Sequence, residues 1–426
     1  MTQFHQAVAE RMIRYAKVDT QSSNDSAAIP TTMGQFDLAR MLAREMKDIG
    51  LSDVFLDEEK CLVYGKLASN CGQCRSLGLI AHMDTAPDAP GNNVKPWILH
   101  SYDGSDIVLN KEKNIVMKAE EFPSLHSYIG CDLILTDGTT LLGADDKASI
   151  AAIMTMAEHL VKNPEIKHGL ISIAFTPDEE VGGLAKDLDL KRFGCPDAYT
   201  LDGDHLGEYQ DETFYASEAT IVIHGRSVHT GTAKGIMVNA CDVAWQIMSS
   251  FPPFEKPAFT EGREGFFHVV SCHATCEEAT IVLIIRDHDP LHFKQREDQA
   301  RLIVEHFNAT QREPFIELKI KESYRSMKEI VDQNPHLIAN LQEAISSCGI
   351  KPFSNPFRGG TDGSSLSHRG LPCPNLSAGY ENAHGRFEYV PIQSMEKNVE
   401  ILLRLAQICA AQKQDVPFVI GGSHGG

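Results

Sequence analysis

The sequence is short of positive charge. Lys and Arg number 39 against 58 Asp and Glu, a formal net charge of −19. Such a chain repels phosphate backbones and anionic headgroups, so neither nucleic acid nor a membrane surface is an expected partner. There is no run of 18 apolar residues, so no segment is long enough to cross a bilayer as a helix. The first twenty residues also lack an uninterrupted apolar stretch. Phe4, Val8 and Met12 recur at helical spacing, so this segment reads as an amphipathic helix and not as a signal peptide. Internal repeats are absent. Eleven cysteines, an odd number scattered along the chain, suggest reduced thiols and a cytoplasmic location. Cys71 and Cys74 in "NCGQCRS" have the C-x-x-C spacing, but no second pair lies at finger spacing, and the segment reads as a polar turn before a strand.

The chain is 426 residues long, with 42% apolar and 23% charged residues, which is globular composition and too much chain for one ordinary core. Its first part alternates in type. A helix is expected over Phe36–Ile49 with Gly50 as its stop, then a buried strand in "LGLIAHMDT". "TTLLGADDKASIAAIMTMAEHL" reads as a strand-to-helix transition, and "GLISIAFTP" as another buried strand. That alternation predicts an α/β domain with helices on a mostly parallel sheet. The texture changes after Phe214. "ATIVIHG", "EATIVLIIRD" and "FIELKIKES" read as strands, with helices around Ala240–Phe251 and Pro290–Asn308 between them. From Lys328 the first texture returns and ends in a helix over Ile392–Gln412; the closing "GGSHGG" reads as a mobile tail. The division is therefore 1–214 and 329–426 as one domain, with an α+β domain of residues 215–328 inserted.

Four segments carry acids or histidine where strands end: "AHMDT" with His82 and Asp84, "GADDK" with Asp145, "TPDEEVGG" with Asp178, Glu179 and Glu180, and "TLDGD" with Asp202. In open α/β sheets ligands bind outside the carboxyl ends of the strands. Taken singly, Asp145 could be a helix cap and His82 a core histidine; the case rests on the set. Clustered carboxylates repel unless a cation joins them. Histidine with carboxylates suits zinc, with manganese or cobalt as alternatives, and one Asp with an oxygen on each ion can bridge two metals. One acid of "PDEE" would then be left free as general base.

Together the segments "HMDT", "TLLGADDKA", "FTPDEEVG", "VHTGTAKGIMVNA", "IIRD", "RGGTDG" and "LPCPN", followed by a histidine, resemble in order the peptidase T family, the tripeptide aminopeptidases of the co-catalytic dizinc peptidase and deacylase superfamily. The resemblance covers nearly the whole chain. It implies a homodimer joined through residues 215–328, a small-peptide substrate and two divalent ions, zinc foremost. It implies that His82 and Asp202 complete one metal's shell, that Asp145 bridges, and that Glu180 and His384 complete the other. Glu179 would be the general base and Asp84 the acid that orients the His82 ring. His229 would help hold the oxyanion in the partner subunit's site, with Asn239 further along the same motif. Arg286 and Arg358 would bind the substrate carboxylate, for which a planar guanidinium is suited. The chain departs from the family at Thr230, where proline is commoner, and just after "GGTDG" and before His384. Two other readings stay open: a dipeptidase or N-acyl-amino-acid deacylase on the same scaffold, and a catalytically silent dimer that binds peptide or metal.

Overall fold

The computed structural model describes residues 3–183, 185–310 and 315–413. The closing "GGSHGG" lies outside them. The chain divides into two compact units. The first holds residues 1–211, 329–355 and 361–426; the second holds 212–328 and 356–360. The short return of Pro356–Gly360 takes Arg358 into the second unit, whereas a division by chain order alone leaves it in the first.

The first unit is built on an eight-stranded sheet. Its order is Ser52–Asp57, Leu62–Leu67, Ile171–Thr176, Leu77–His82, Tyr199–Gly203, Asn375–Ser377, Glu208–Gln210 and Phe353–Ser354. The four strands from Ile171–Thr176 to Asn375–Ser377 run parallel, and antiparallel pairs flank them. Every residue of Leu77–His82 and Ile171–Thr176 is buried, because both sheet faces are covered. Leu77, Leu79 and Ala81 join the core formed with helices His5–Ala16, Ala144–Lys162 and Ile392–Ala411. Ile80 points to the other face, against Phe193, Leu366 and Cys373. The helix Gln35–Ile49 stops at Gly50 in the left-handed region, φ 104°, where glycine carries no Cβ penalty.

Two expectations change. The segment before Asp145 is not a strand of the main sheet. The strand there is Leu133–Leu135, in a separate three-stranded sheet with Trp97–Leu99 and Val390–Pro391. The N–H groups of Leu142 and Gly143 are taken by the Glu388 carboxylate and not by a neighbouring strand. Nor are all the cysteines reduced: Cys71 and Cys74 form a disulfide, their Cα atoms 6.0 Å apart and within the reach such a bond requires. The remaining nine are free. No helix among the described residues is long and apolar enough to cross a membrane.

The second unit is a four-stranded antiparallel sheet in the order Phe266–Ala274, Glu278–Asp287, Tyr215–His224 and Ile316–Tyr324. Glu278–Asp287 alternates cleanly. Ala279, Ile281, Leu283 and Ile285 are buried in a core with Ala244 and Ile247 of helix Ala240–Ser250 and Ala300 and Val304 of helix Pro290–Asn308. Arg286 falls on the opposite face. Asp289 caps the second helix, accepting from the N–H groups of Leu291 and His292, with Pro290 at its first position.

One guanidinium joins three helices of the first unit. Arg11 of His5–Ala16 is buried, and donates to Glu45 at 2.8 Å, Glu158 at 2.7 Å and Thr155 at 3.0 Å. Glu45 retains Arg14 and Tyr15, and Glu158 retains Lys162. Arg11→Ala is therefore expected to cost about 3 kcal/mol in chemical unfolding, the lower end for breaking a buried pair. A loss below about 1 kcal/mol would place the contact with surface pairs instead.

Candidate metal and catalytic site

The parallel strands deliver three of the four acidic segments to one sheet end. His82 is the last residue of its strand, Asp202 the last but one of Tyr199–Gly203, and Glu179 and Glu180 form a single 3-10 turn just beyond Thr176. The fourth, Asp145, sits in the first turn of Ala144–Lys162 with φ −77° and ψ 102°. Gly143 makes that turn possible. Its φ is 74°, and a Cβ there would lie 2.9 Å from the Thr85 methyl. Asp145 makes no capping hydrogen bond, so a helix-cap role does not account for it.

Its carboxylate instead lies between two histidines. Oδ1 is 2.9 Å from His82 Nε2, and Oδ2 is 3.2 Å from His384 Nε2. Asp202 Oδ1 lies 3.4 Å from the same His82 nitrogen, and Glu180 Oε2 lies 2.9 Å from the same His384 nitrogen. Two sets share one acid: His82 with Asp145 and Asp202, and His384 with Asp145 and Glu180. By ligand-atom spacing alone, His82, Asp145 and Glu180 lie within 4.8 Å of one another, as do His82, Glu179 and Asp202. These groupings centre on His82. The closer contacts assign each of these carboxylate oxygens to a single imidazole nitrogen.

The three acids of "TPDEEVGG" point apart. Asp178, φ 59°, turns away and accepts from the Thr31 N–H at 2.8 Å and Gln35 Nε2 at 2.6 Å. Glu180 faces His384, and Glu179 faces His82 and Asp202. Asp84 holds the turn from behind. Its two oxygens accept the N–H groups of Glu179 at 3.0 Å and Glu180 at 3.2 Å, and Oδ1 stands 3.3 Å from His82 Nδ1. Asp84 thus orients the glutamate pair through its carboxylate and the imidazole through its backbone carbonyl, 3.2 Å from His82 Nδ1, with Oδ1 close by.

The electrostatics of the cluster follow from its burial. Burial pushes the Glu180 carboxyl up to about 8, with Asp145 adding to the rise. Burial and the charge of Asp202 hold Glu179 well above the usual carboxylate range, and Asp202 itself is raised by burial. Burial alone would lower His82, but its contacts with Asp145, Asp202 and Asp84 raise it well above an ordinary histidine. Asp145 and Glu180 raise His384 to about 11. Buried oxygens of Glu180, Asp146 and Asp362 have no hydrogen-bond partner. Carboxylates that bind protons this tightly, with orphaned oxygens beside imidazoles, are the donor set a divalent cation relieves. The residues present fit a metal group.

Sequence reasoning missed Glu388, whose carboxylate accepts three backbone N–H groups, and Asp362, which accepts from the Thr176 hydroxyl at 2.6 Å. Glu388 has a visible signal, an acid inside "RFEYV" beside residues bound for the core. Of the other expected site residues, His229, Asn239, Arg286 and Arg358 belong to the second unit. His229 is exposed, with Nδ1 accepting the Gly231 N–H; Asn239 caps helix Ala240–Ser250. Arg286 donates to the Ser217 and Ile285 carbonyls and stands over the Tyr324 ring. Arg358 donates to the Gly262 and Glu264 carbonyls and the Thr260 hydroxyl. Neither guanidinium has a carboxylate ion pair among the described residues.

Residues 141–408 match the model of peptidase family M20/M25/M40. The chain is 46% identical to peptidase T of Caldanaerobacter subterraneus subsp. tengcongensis, over 94% of this chain and 98% of that one. It is 48% identical to peptidase T of Clostridium botulinum strain Okra, over 95% and 99%. Among solved structures, a tripeptidase from Staphylococcus aureus Mu50 superposes with a TM-score of 0.75 at 25% identity, over 96% of this chain and 99% of that one.

Chelator-stripped protein is expected to melt at a lower temperature than the metal-loaded form. Returning Zn2+ at a hundred times its Kd should restore about 2.7 kcal/mol for each ion bound. Equal melting with and without metal would mean that protons alone satisfy the cluster.

Proposed function

This chain belongs to peptidase family M20/M25/M40, as a metallopeptidase of the peptidase T group, and we propose that it removes the N-terminal residue from tripeptides with two divalent metal ions, zinc foremost. The observation that carries the reading is the Asp145 carboxylate, with one oxygen toward His82 and the other toward His384. His82, Asp145 and Asp202 would hold one ion, and Asp145, Glu180 and His384 the other. When bound, two such ions supply a water acidified to near neutrality and an electrophilic grip on the scissile carbonyl.

The chain's own groups supply the rest. Asp84 fixes the His82 ring and the backbone of the glutamate turn. Glu179 lies near His82 and Asp202 but belongs to neither of the two ligand sets. It takes a proton from the attacking water and passes it to the departing amine. Its neighbours on the site's rim favour access: the His384 side chain is 46% exposed. In the second unit, His229 would act on the oxyanion as the partner subunit's contribution, so that the active form is a homodimer. Arg286, Arg358 and Asn239 would bind substrate. Two guanidinium groups without acid partners are suited to a C-terminal carboxylate.

Glu179→Ala should keep its full metal content and lose roughly 10²–10⁴ in kcat, because only proton transfer is removed. Glu180→Ala should lose one equivalent of metal. Metal analysis beside initial rates separates these outcomes; equal metal and equal activity loss in both variants would void the assignment.

Substrate length is tested with tripeptides, dipeptides and N-acyl amino acids assayed in parallel. Tripeptides should give the highest kcat/KM, and a tripeptide amide should fall by 10²-fold or more, about 3 kcal/mol for guanidinium groups left unpaired. Faster turnover of dipeptides or acyl amino acids would shift the reading to those hydrolases. Equal rates for acid and amide would remove the carboxylate anchor.

A further inference from the structure

Glu388 is 2% exposed and lies four residues after His384. Its Oε2 accepts the N–H groups of Leu142 and Gly143, each at 2.7 Å, and its Oε1 accepts the Asp145 N–H at 3.0 Å. It makes no ion pair among the described residues. The buried Lys147 donates to the Val18 carbonyl at 2.9 Å; its charge and that of Glu388 interact at longer range, without an ion pair. Burying a carboxylate without a countercharge is costly unless hydrogen bonds replace its water. Here they come from the start of a 19-residue helix, where donors are otherwise orphaned and the dipole favours an anion.

The chain around Glu388 is itself held. Glu381 and Tyr389 exchange two backbone hydrogen bonds, at 2.9 and 3.1 Å, and Asn382 Nδ2 donates to the Phe387 carbonyl at 3.1 Å. His384 sits inside this closed loop with φ 62°. One end of the loop carries an imidazole to Asp145 Oδ2, and the other end grips the backbone of Asp145 itself. From this we infer that Glu388 is a positioning residue that sets the separation of Asp145 and His384, and so the affinity of the ion held by His384, Asp145 and Glu180. The inference rests on the two-metal reading. The other set depends on Glu388 only through Asp145, because His82 and Asp202 are fixed by strands of the main sheet.

Glu388→Gln keeps the size but offers one acceptor oxygen, and its amide nitrogen then faces a backbone donor. Glu388→Asp keeps both oxygens and shortens the reach by one methylene. Metal-free protein is titrated with Co2+, read by calorimetry and by the visible d–d bands. Wild type should take up two equivalents. In Glu388→Gln, one equivalent should bind within about threefold of wild type and the other roughly 10–100-fold more weakly, with Glu388→Asp between. The kcat of Glu388→Gln at limiting metal should fall and recover with excess metal, while KM holds. Two wild-type affinities in Glu388→Gln, or equal weakening of both, would overturn the inference and leave a residue that serves stability alone. A wild type that binds one equivalent would overturn the two-metal reading, and the inference with it.

Discussion

A single carboxylate shared by two imidazoles governs this molecule. Asp145 has two oxygens, and His82 and His384 come to one each from segments 302 residues apart in sequence, 384 less 82. To bring that about, a parallel sheet must end in register, a helix must begin on a left-handed glycine, and a late loop must fold back. Each arrangement gathers more negative charge at the same sheet end. Burial then drives Glu179, Glu180 and Asp202 toward the protonated form. The site is built at an electrostatic cost that protons or a cation must offset.

The buried acids fall into two kinds by what their oxygens touch. Asp84, Asp178 and Glu388 hold backbone N–H groups, and each pins a turn that carries a ligand. Among the described residues, Glu180 and Asp202 meet imidazole nitrogens and no backbone donor, and one Glu180 oxygen has no hydrogen-bond partner. The first kind holds the backbone and the second faces the imidazoles. Residue type does not distinguish them, since both kinds stand side by side at Asp178, Glu179 and Glu180.

That distinction explains how far the sequence could be read. The helix expected at Pro290–Asn308 forms with those bounds, and the one expected at Phe36–Ile49 starts one residue earlier, at Gln35, and stops at Gly50. His82 and the glutamate pair were visible because long apolar strands end at them. Asn375–Ser377 and Glu208–Gln210, three residues each, are too short to show a period, although both complete the main sheet. His384 lies in a loop with no periodicity, so it came from the family resemblance and not from pattern. Glu388 shows in the sequence only as an acid among residues bound for the core; its partners are backbone groups, which no residue type marks.

The second unit borrows Pro356–Gly360 from beyond its own 212–328 stretch. Phe357 donates to the Glu212 carbonyl and Phe214 to the Gly359 carbonyl, so the borrowed piece closes on the unit's first residues. On the ribosome this imposes an order of events. The unit can pair its four strands while residue 324 is emerging, yet its opening residues wait for a segment made more than thirty residues later, 357 less 324. His384 emerges later still. A nascent chain interrupted before that histidine presents the acids of the sheet end without the imidazole that Asp145 and Glu180 meet.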